Sequence, residues 1–527
     1  MSPNAYALDI TRQALSLLLP EFLVLATAMV MITLGAFVAL PRRVWSITAA
    51  LSLLIALVVL FATRDLPTEI YASVALNDAL GWYGRVAFAL SGLVLLGLAH
   101  DQVDDARASD FFGALLVILA GAMLVAAANE LVFLFVGLEL VSIPTYLLLY
   151  LPRRTPTTLE AATKYFFLSV FASALFLFGL AYFYGLAGVS NMKALAKMTE
   201  SFNGIPQAQI GLVAVLFVIA GLGFRVAAVP FHFYAPDVYQ GSPTVVAALL
   251  AWIPKAVGFV AMVRVLTAVF GGDNEVSRKA MVLAWVIAAA TMTLGNTVAL
   301  LQDNLKRLLA YSSIAHAGYL MIGITVAFRN HGSHTDFLGT QGIFFYLITY
   351  ALMTLGAFGV IIALDRPERP VETVDDMAGL GMTRPWSAFA MALCLFSLAG
   401  VPIMAGFWGK FYIFASALKM GDSALAIGES DEARWFWILA VIGVLNAAVG
   451  AYYYLRIVVV MYLRPSPDTG PRARIPWPTA AAFGTCAALS LLLGCFARPL
   501  ARASREAALD AISRPHPIAS APAPIKG

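Results

Sequence analysis

Long apolar runs separated by short polar connections fill almost the whole chain. A bilayer core needs about 20 apolar residues in a helix, and runs of that length predict fourteen membrane helices. They fall at about 15–40, 44–63, 80–99, 111–128, 131–151, 161–187, 208–234, 243–270, 280–301, 308–328, 341–364, 387–418, 435–463 and 477–497. The longest connections, at about 64–79, 188–207, 365–386 and 419–434, read as loops, with no soluble domain between spans. The tail, 498–527, is rich in Pro, Ala and Ser and is expected to be disordered. The predicted fold class is all-α integral membrane, a single polytopic domain over 1–527.

Two of the runs carry breakers. Pro230 and Pro236 fall late in the seventh, and Gly400, Pro402, Gly406 and Gly409 crowd the twelfth. Proline removes a helix hydrogen bond and glycine permits unwinding. Interrupted helices inside a membrane survive where protein or water satisfies the freed backbone. Interruptions at corresponding positions of two halves suggest inverted repeats. Segments seven and twelve are five apart, so two five-helix units fit, helices 4–8 over about 111–270 and helices 9–13 over about 280–463.

Composition agrees with the pattern. Hydrophobic residues make up 61% of the chain and charged residues 12%, against about 25% charged in soluble domains. Mean hydropathy is +0.83. The formal net charge of +4 is small for 527 residues, with no basic stripe to bind nucleic acid. Cys394, Cys486 and Cys495 lie in apolar stretches without CxxC spacing, and the six histidines form no HExxH or HxH cluster. The glycine pairs in GLGF and GLGM make no nucleotide-binding turn. No redox, metal or nucleotide cofactor is expected on this chain. The first apolar run lacks a basic leader and is too long for a signal-peptide core, so it reads as a membrane helix. An even number of spans puts both termini on one side. Arg42, Arg43, Arg153, Arg154, Lys306, Arg307, Arg464, Arg472 and Arg474 gather in the odd-numbered connections, which favours those connections in the cytoplasm and both termini outside.

Candidate chemistry comes from ionisable residues stranded in the apolar runs. A charge at the bilayer centre costs roughly 2.5–3.5 kcal/mol even on the lenient insertion scale, and such residues often mark an ion path. Glu139, Arg225, Lys255 and Lys410 are deep, and Lys164 lies nearer the start of its segment. Burial disfavours the ammonium, so Lys255 and Lys410 could load and release a proton near neutral pH. Glu139 reads as a proton carrier or as the partner of a base. Arg225 holds its proton too tightly to be a carrier and acts as a fixed charge. The alternative for all of them is structural ion pairing, and for Lys164 also snorkelling. His316, deep in AYSSIAHAGYL, suits proton relay or plain packing. His232, beside Pro230, and Lys306, at the start of the tenth segment, are weaker candidates. Arg85, Arg264 and Arg456 lie near segment ends and are expected to snorkel.

These residues sit in stretches that resemble a known family: GLELVSIPTYLL, EAATKYFFLSVFASALFLFGLAYFYG, VPFHFYAPDVYQGSPT, WIPKAVGF, LKRLLAYSSIAHAGYL and GVPIMAGFWGKFYIF. Together they are similar to the antiporter-like, proton-pumping membrane subunits of respiratory complex I (NADH–quinone oxidoreductase), most of all the branch called N or 2. The resemblance implies fourteen helices with two inverted five-helix repeats, discontinuous helices 7 and 12, and a line of buried charges. By position, Glu139 matches the fifth-helix glutamate, Lys164 the sixth-helix lysine, Lys255 the eighth-helix lysine and Lys410 the twelfth-helix lysine. A lysine at that last position suits the N and L branches, and the long lateral helix of the L branch is lacking. Arg225 departs from the usual seventh-helix lysine.

The resemblance further implies neighbouring antiporter-like and small membrane subunits as partners, and a bacterial inner membrane. NADH, FMN, Fe–S clusters and quinone would then belong to partner subunits, and this chain would form part of a translocase without a redox centre of its own. A subunit of an Mrp-type sodium/proton antiporter is the alternative in the same fold. A membrane scaffold with purely structural ion pairs is the alternative from another class.

Overall fold

A computed structural model describes residues 11–66, 73–151, 155–198, 205–266, 275–329, 339–365, 371–466 and 474–512. Among them the chain is helical, without β-strands. The main helices are α1 (Leu19–Gly35), α2 (Arg42–Ala62), α3 (Ala79–Ala99), α4 (Ala108–Ala127), α5 (Leu131–Tyr150) and α6 (Pro156–Ala187). After them come α7 (Ile205–Val226), α8 (Ala235–Gly241), α9 (Thr244–Leu266), α10 (Glu275–Ala299), α11 (Leu305–Ala327) and α12 (Gly339–Leu364). The last are α13 (Pro385–Ala399), α14 (Ala405–Ala426), α15 (Ser430–Leu463), α16 (Trp477–Cys495) and α17 (Arg498–Ile512).

Twelve helices among the described residues are long and apolar enough to cross a membrane. Thr11–Leu17 and α1, bent by 64°, make a thirteenth if taken as one span. Fourteen were expected. The expected span 387–418 is two helices, α13 and α14, meeting at 400–404. α13 has only 15 residues, and α14 carries Lys410, Lys419 and Asp422.

Local sequence explains the helix ends. Thr155 and Thr158 form a capping box at the start of α6 with Pro156 at its first turn, and Gly188 ends it at φ 66°. Glu130 caps α5 by accepting from the Phe133 N–H at 2.8 Å. Every residue of α9 is buried. That helix forms the centre of the molecule, packed on α3, α4, α5, α7, α11 and α12. Burial of a helix on all sides requires the uniformly apolar sequence around Lys255.

Two corrections follow. The tail expected to be disordered from 498 forms α17 as far as Ile512, and 513–527 lie outside the described residues. Its small residues Ser504, Ala507, Ala508 and Ala511 recur at helical spacing and are buried, against α3 and α12. The second concerns two arginines expected to snorkel. Arg85 is buried, donating to both carboxylate oxygens of Glu21 at 2.6 and 2.7 Å. Arg264 is buried, donating to Asp78 at 2.5 and 2.7 Å. Arg456, by contrast, is half-buried and pairs with Asp303 at 2.5 Å.

Candidate functional site

The break after α7 begins at Ala227, whose φ of 57° lies in the left-handed region that β-carbon residues avoid. Protein groups satisfy the freed backbone: the Val229 N–H donates to Thr291 Oγ1 at 3.0 Å, and Tyr234 Oη to the Phe224 carbonyl at 2.9 Å. Arg225, at the last turn before the break, is buried. Its guanidinium donates to Glu139 Oε1 at 3.0 Å, Ser173 Oγ at 3.2 Å and the Leu138 carbonyl at 3.1 Å, and also to Ser142 Oγ. Ser173 Oγ donates to the same Glu139 oxygen at 2.6 Å. Glu139 and Arg225 therefore form one polar node on α5, α6 and α7. The planar fork of arginine suits this set of acceptors.

Gly258, one turn beyond Lys255 on α9, lets α7 approach closely. A β-carbon there would lie 2.7 Å from Val226 Cγ1 and 3.4 Å from Arg225 Cβ. Lys255 itself follows Pro254, which lacks the N–H that would bond the Leu250 carbonyl. The Lys255 ammonium is buried and donates to Ser313 Oγ at 2.6 Å and to the Ser313 carbonyl. It also lies 5.2 Å from the Tyr350 ring centroid.

His316 sits one turn along α11 from Ser313 and is buried. Its Nδ1 is 2.6 Å from Tyr346 Oη and its Nε2 3.0 Å from Tyr454 Oη. A neutral imidazole has one donor and one acceptor nitrogen, so the ring links two phenols in either tautomer. Tyr454 continues to Ser312. The His316 ring also packs on Tyr350 at 5.0 Å and Tyr319 at 5.7 Å between centroids.

Lys410 lies just beyond the second break. Its buried ammonium donates to the Leu398 and Ala399 carbonyls at 2.8 and 3.0 Å, the C-terminal end of α13. Gly400, at φ 89°, makes room: a β-carbon there would lie 3.1 Å from Lys410 Cδ. The ammonium is 5.2 Å from the Tyr319 ring centroid. Lys255 and Lys410 thus each face a tyrosine ring, and both rings pack on His316.

Other candidates lie apart. Lys164 is half-exposed and pairs with Glu160 and Asp237, both at 2.7 Å, without touching the Glu139 node. Asp237 also accepts from Arg307 at 2.7 Å, so Lys164 belongs to an ionic bracket at the first turn of α8. Lys306 donates to the Ser242 carbonyl at 2.9 Å in the same region. His232 sits in the break after α7, and its Nδ1 finds no hydrogen-bond partner. Sequence reading missed Ser142, Ser173, Ser313, Tyr346, Tyr350 and Tyr454. Helical spacing from Glu139 and His316 could have picked out Ser142 and Ser313. Among the described residues, no group of three or more His, Cys, Asp or Glu could hold a metal ion.

The family described as "NADH:quinone oxidoreductase/Mrp antiporter, TM" matches residues 128–430. NADH-quinone oxidoreductase subunit N of Trichlorobacter lovleyi is 39% identical over 80% of this chain and 82% of its own. The second subunit N of Rhizobium meliloti is 36% identical over 84% of this chain and 88% of its own. Among solved structures, a chain of respiratory complex I from Thermus thermophilus with bound aureothin is 31% identical. It superposes with a TM-score of 0.73, over 92% of this chain and 98% of that one. A chain of the Mrp complex from Dietzia has a TM-score of 0.80, over 96% of this chain and 98% of its own, but is 20% identical, a likeness of fold alone.

Proposed function

This chain belongs to the NADH:quinone oxidoreductase/Mrp antiporter membrane family, and from that premise we propose that it is the N subunit of a bacterial complex I. It is an antiporter-like membrane subunit that moves protons, within an oxidoreductase complex whose NADH oxidation and quinone reduction take place on other subunits. The relatives named as subunit N favour this over the Mrp reading, which rests on a fold-level likeness. NADH, FMN, Fe–S clusters and quinone belong to partner subunits in this reading. The inner membrane of a bacterium is the location the relatives suggest, with the basic face in the cytoplasm.

We read the fold as two inverted five-helix units, about 111–270 and 280–463. The break after α7 and the break after α13 support this, since each interrupts the fourth span of its unit. The proton path runs through Glu139, Lys255, His316 and Lys410, with Arg225 as a fixed charge beside Glu139. Lys164, Lys306 and, more remotely, His232 serve the region where protons enter from the basic face.

The observation that carries the path is the pair of buried ammonium groups flanking one His316–tyrosine cluster. A buried cation with few fixed countercharges is costly, so small changes in the field from Glu139 can shift a proton between carriers. His316 relays by exchanging its donor and acceptor nitrogens. The test is a purified complex: its subunit list, its NADH–quinone activity, and its proton-to-electron ratio with Lys255→Ala or Lys410→Ala. Each variant should assemble yet lose much of the pumping. Normal ratios and turnover in both would refute the path.

A further inference from the structure

The seam between α5 and α6 carries a line of hydroxyl groups that the buried lysines do not use. On α6, Tyr165, Ser169 and Ser173 recur at four-residue spacing. On α5, Glu139, Ser142 and Tyr146 recur at spacings of three and four. Both spacings keep a set of side chains on one helix face. The two faces meet: Ser173 Oγ donates to Glu139 Oε1 at 2.6 Å, and Tyr146 Oη donates to Ser169 Oγ at 2.9 Å. The Tyr146 ring packs on Tyr165 at 5.7 Å between centroids. Ser142, Ser169 and Ser173 are buried in an otherwise apolar seam, where hydroxyls cost free energy unless bonded.

The line has a direction. α5 runs away from Glu139 through Ser142 to Tyr146, and α6 runs back through Tyr165 and Ser169 to Ser173. Lys164 follows Glu160 by one turn and adjoins Tyr165. Its ammonium joins the Glu160 and Asp237 carboxylates, and Asp237 joins Arg307. Along α6 the hydroxyls lead from the Glu139 node back toward Lys164 and Glu160 as two hydrogen-bonded pairs, Ser173–Glu139 and Tyr146–Ser169, one helical turn apart.

We infer that this seam is the proton access route to Glu139, with Tyr146 and Ser169 as its relay and Glu160 and Asp237 at its mouth. The inference rests on the pumping reading above. In each step a hydroxyl oxygen receives a proton on a lone pair and releases its own proton to the next acceptor. One proton then arrives at a Glu139 oxygen, and every hydroxyl is regenerated. No bond other than O–H changes, and no co-reactant is needed. The charged and titratable groups facing the route are Glu139 and Arg225 at its inner end, Tyr165 and Tyr234 along it, and Lys164, Glu160, Asp237 and Arg307 at its mouth.

The test uses the assembled complex in sealed vesicles, with Tyr146→Phe, Ser169→Ala and the double variant. Tyr146→Phe keeps the ring packed on Tyr165 and removes one oxygen, and Ser169→Thr restores a hydroxyl. Pumping should fall roughly tenfold in each single variant, a modest share of what proton-transfer groups supply. The loss should grow as pH rises on the access side, where protons are scarce. The double variant should be no worse than either single one, and Ser169→Thr should recover most of the rate. Unchanged pumping and an unchanged pH profile in the double variant would overturn the route. Lys410→Ala in the same vesicles separates the two ideas. If it abolishes pumping while the seam variants do not, only the route fails. If it too leaves pumping intact, the pumping reading fails with it.

Discussion

The ammonium of Lys410 lies 3.0 Å from the carbonyl oxygen of Ala399, the last residue of α13. A helix C-terminus carries partial negative charge on its unpaired carbonyls. The broken span therefore supplies Lys410 with dipoles in place of a carboxylate. Such a partner stabilises the cation without locking it, which suits a group that must give up its proton.

The dipole arrangement predicts how Gly400 behaves. Gly400→Ala places a β-carbon at φ 89° and within 3.1 Å of Lys410 Cδ. Left-handed strain alone costs of order 1–3 kcal/mol. The variant should lower the thermal stability of the complex and displace the ammonium from α13, cutting proton transport more than NADH oxidation by an artificial acceptor. Equal loss of both would point to failed assembly alone.

Arg225→Lys separates a fixed charge from a titrating one. An ammonium has three donors on a point charge, and it cannot reach Glu139, Ser173, Ser142 and the Leu138 carbonyl together. Buried acceptors left without a donor cost about 1–3 kcal/mol. The variant should assemble with reduced stability. Its pumping should acquire a pH dependence that Arg225 does not allow, because lysine can release its proton. Unchanged pumping with an unchanged pH profile would mean that residue 225 needs only to be basic.

Tyr454→Phe removes the phenol that joins Ser312 to His316 Nε2 and keeps the ring. Pumping should fall, by roughly 10² if this phenol takes part in each transfer. His316→Gln should resemble it, since an amide bonds both phenols but does not shuttle a proton. Turnover of Tyr454→Phe near the unaltered value would assign the phenol to packing.

How much of this was legible in the chain depends on what each residue contrasts with. Lys255 and Lys410 were visible because a charge in an apolar run is rare. The breaks beside them were visible through Pro230, Gly400 and Pro402. Ser173, Tyr146 and Tyr454 were not, since single hydroxyls are common in membrane helices and their meaning comes from a partner on another helix. Arg85 and Arg264 looked like snorkelling residues because their partners, Glu21 and Asp78, are 64 and 186 positions away. Position along a helix says nothing of such a partner. Lys164 matched a family position, yet its neighbours Glu160 and Asp237 draw it to the surface bracket.

The Glu21–Arg85 pair gives a stability prediction. Both side chains are fully buried, and Arg85 also donates to the Leu17 carbonyl at 2.6 Å, beside the bend before α1. Removing one partner of a buried pair leaves an uncompensated charge and costs about 3–5 kcal/mol. Glu21→Ala should therefore unfold or detach α1, seen as a lower melting temperature of the complex. Glu21→Leu combined with Arg85→Met should recover most of that loss. A double variant as unstable as Glu21→Ala would show that the pair matters for more than its charge.

Asp78 and Arg264 predict the effect of pH. Asp78 caps the start of α3, and Arg264 reaches it from the buried α9. Burial alone would raise the Asp78 carboxyl. The Arg264 charge and hydrogen bonds, with the Gly81 N–H, outweigh burial and hold it below the usual carboxylate range. A carboxyl whose folded value is depressed adds stability above its unfolded value, about 3.9. That stability is lost as pH falls through the lower, folded value. The pair should therefore contribute a constant amount between about pH 5 and 8. Asp78→Asn should lower the melting temperature by a similar amount throughout that range, and the difference from the unaltered protein should shrink in stronger acid. A difference that instead grows as pH falls from 8 to 5 would contradict an ionised Asp78 held by Arg264.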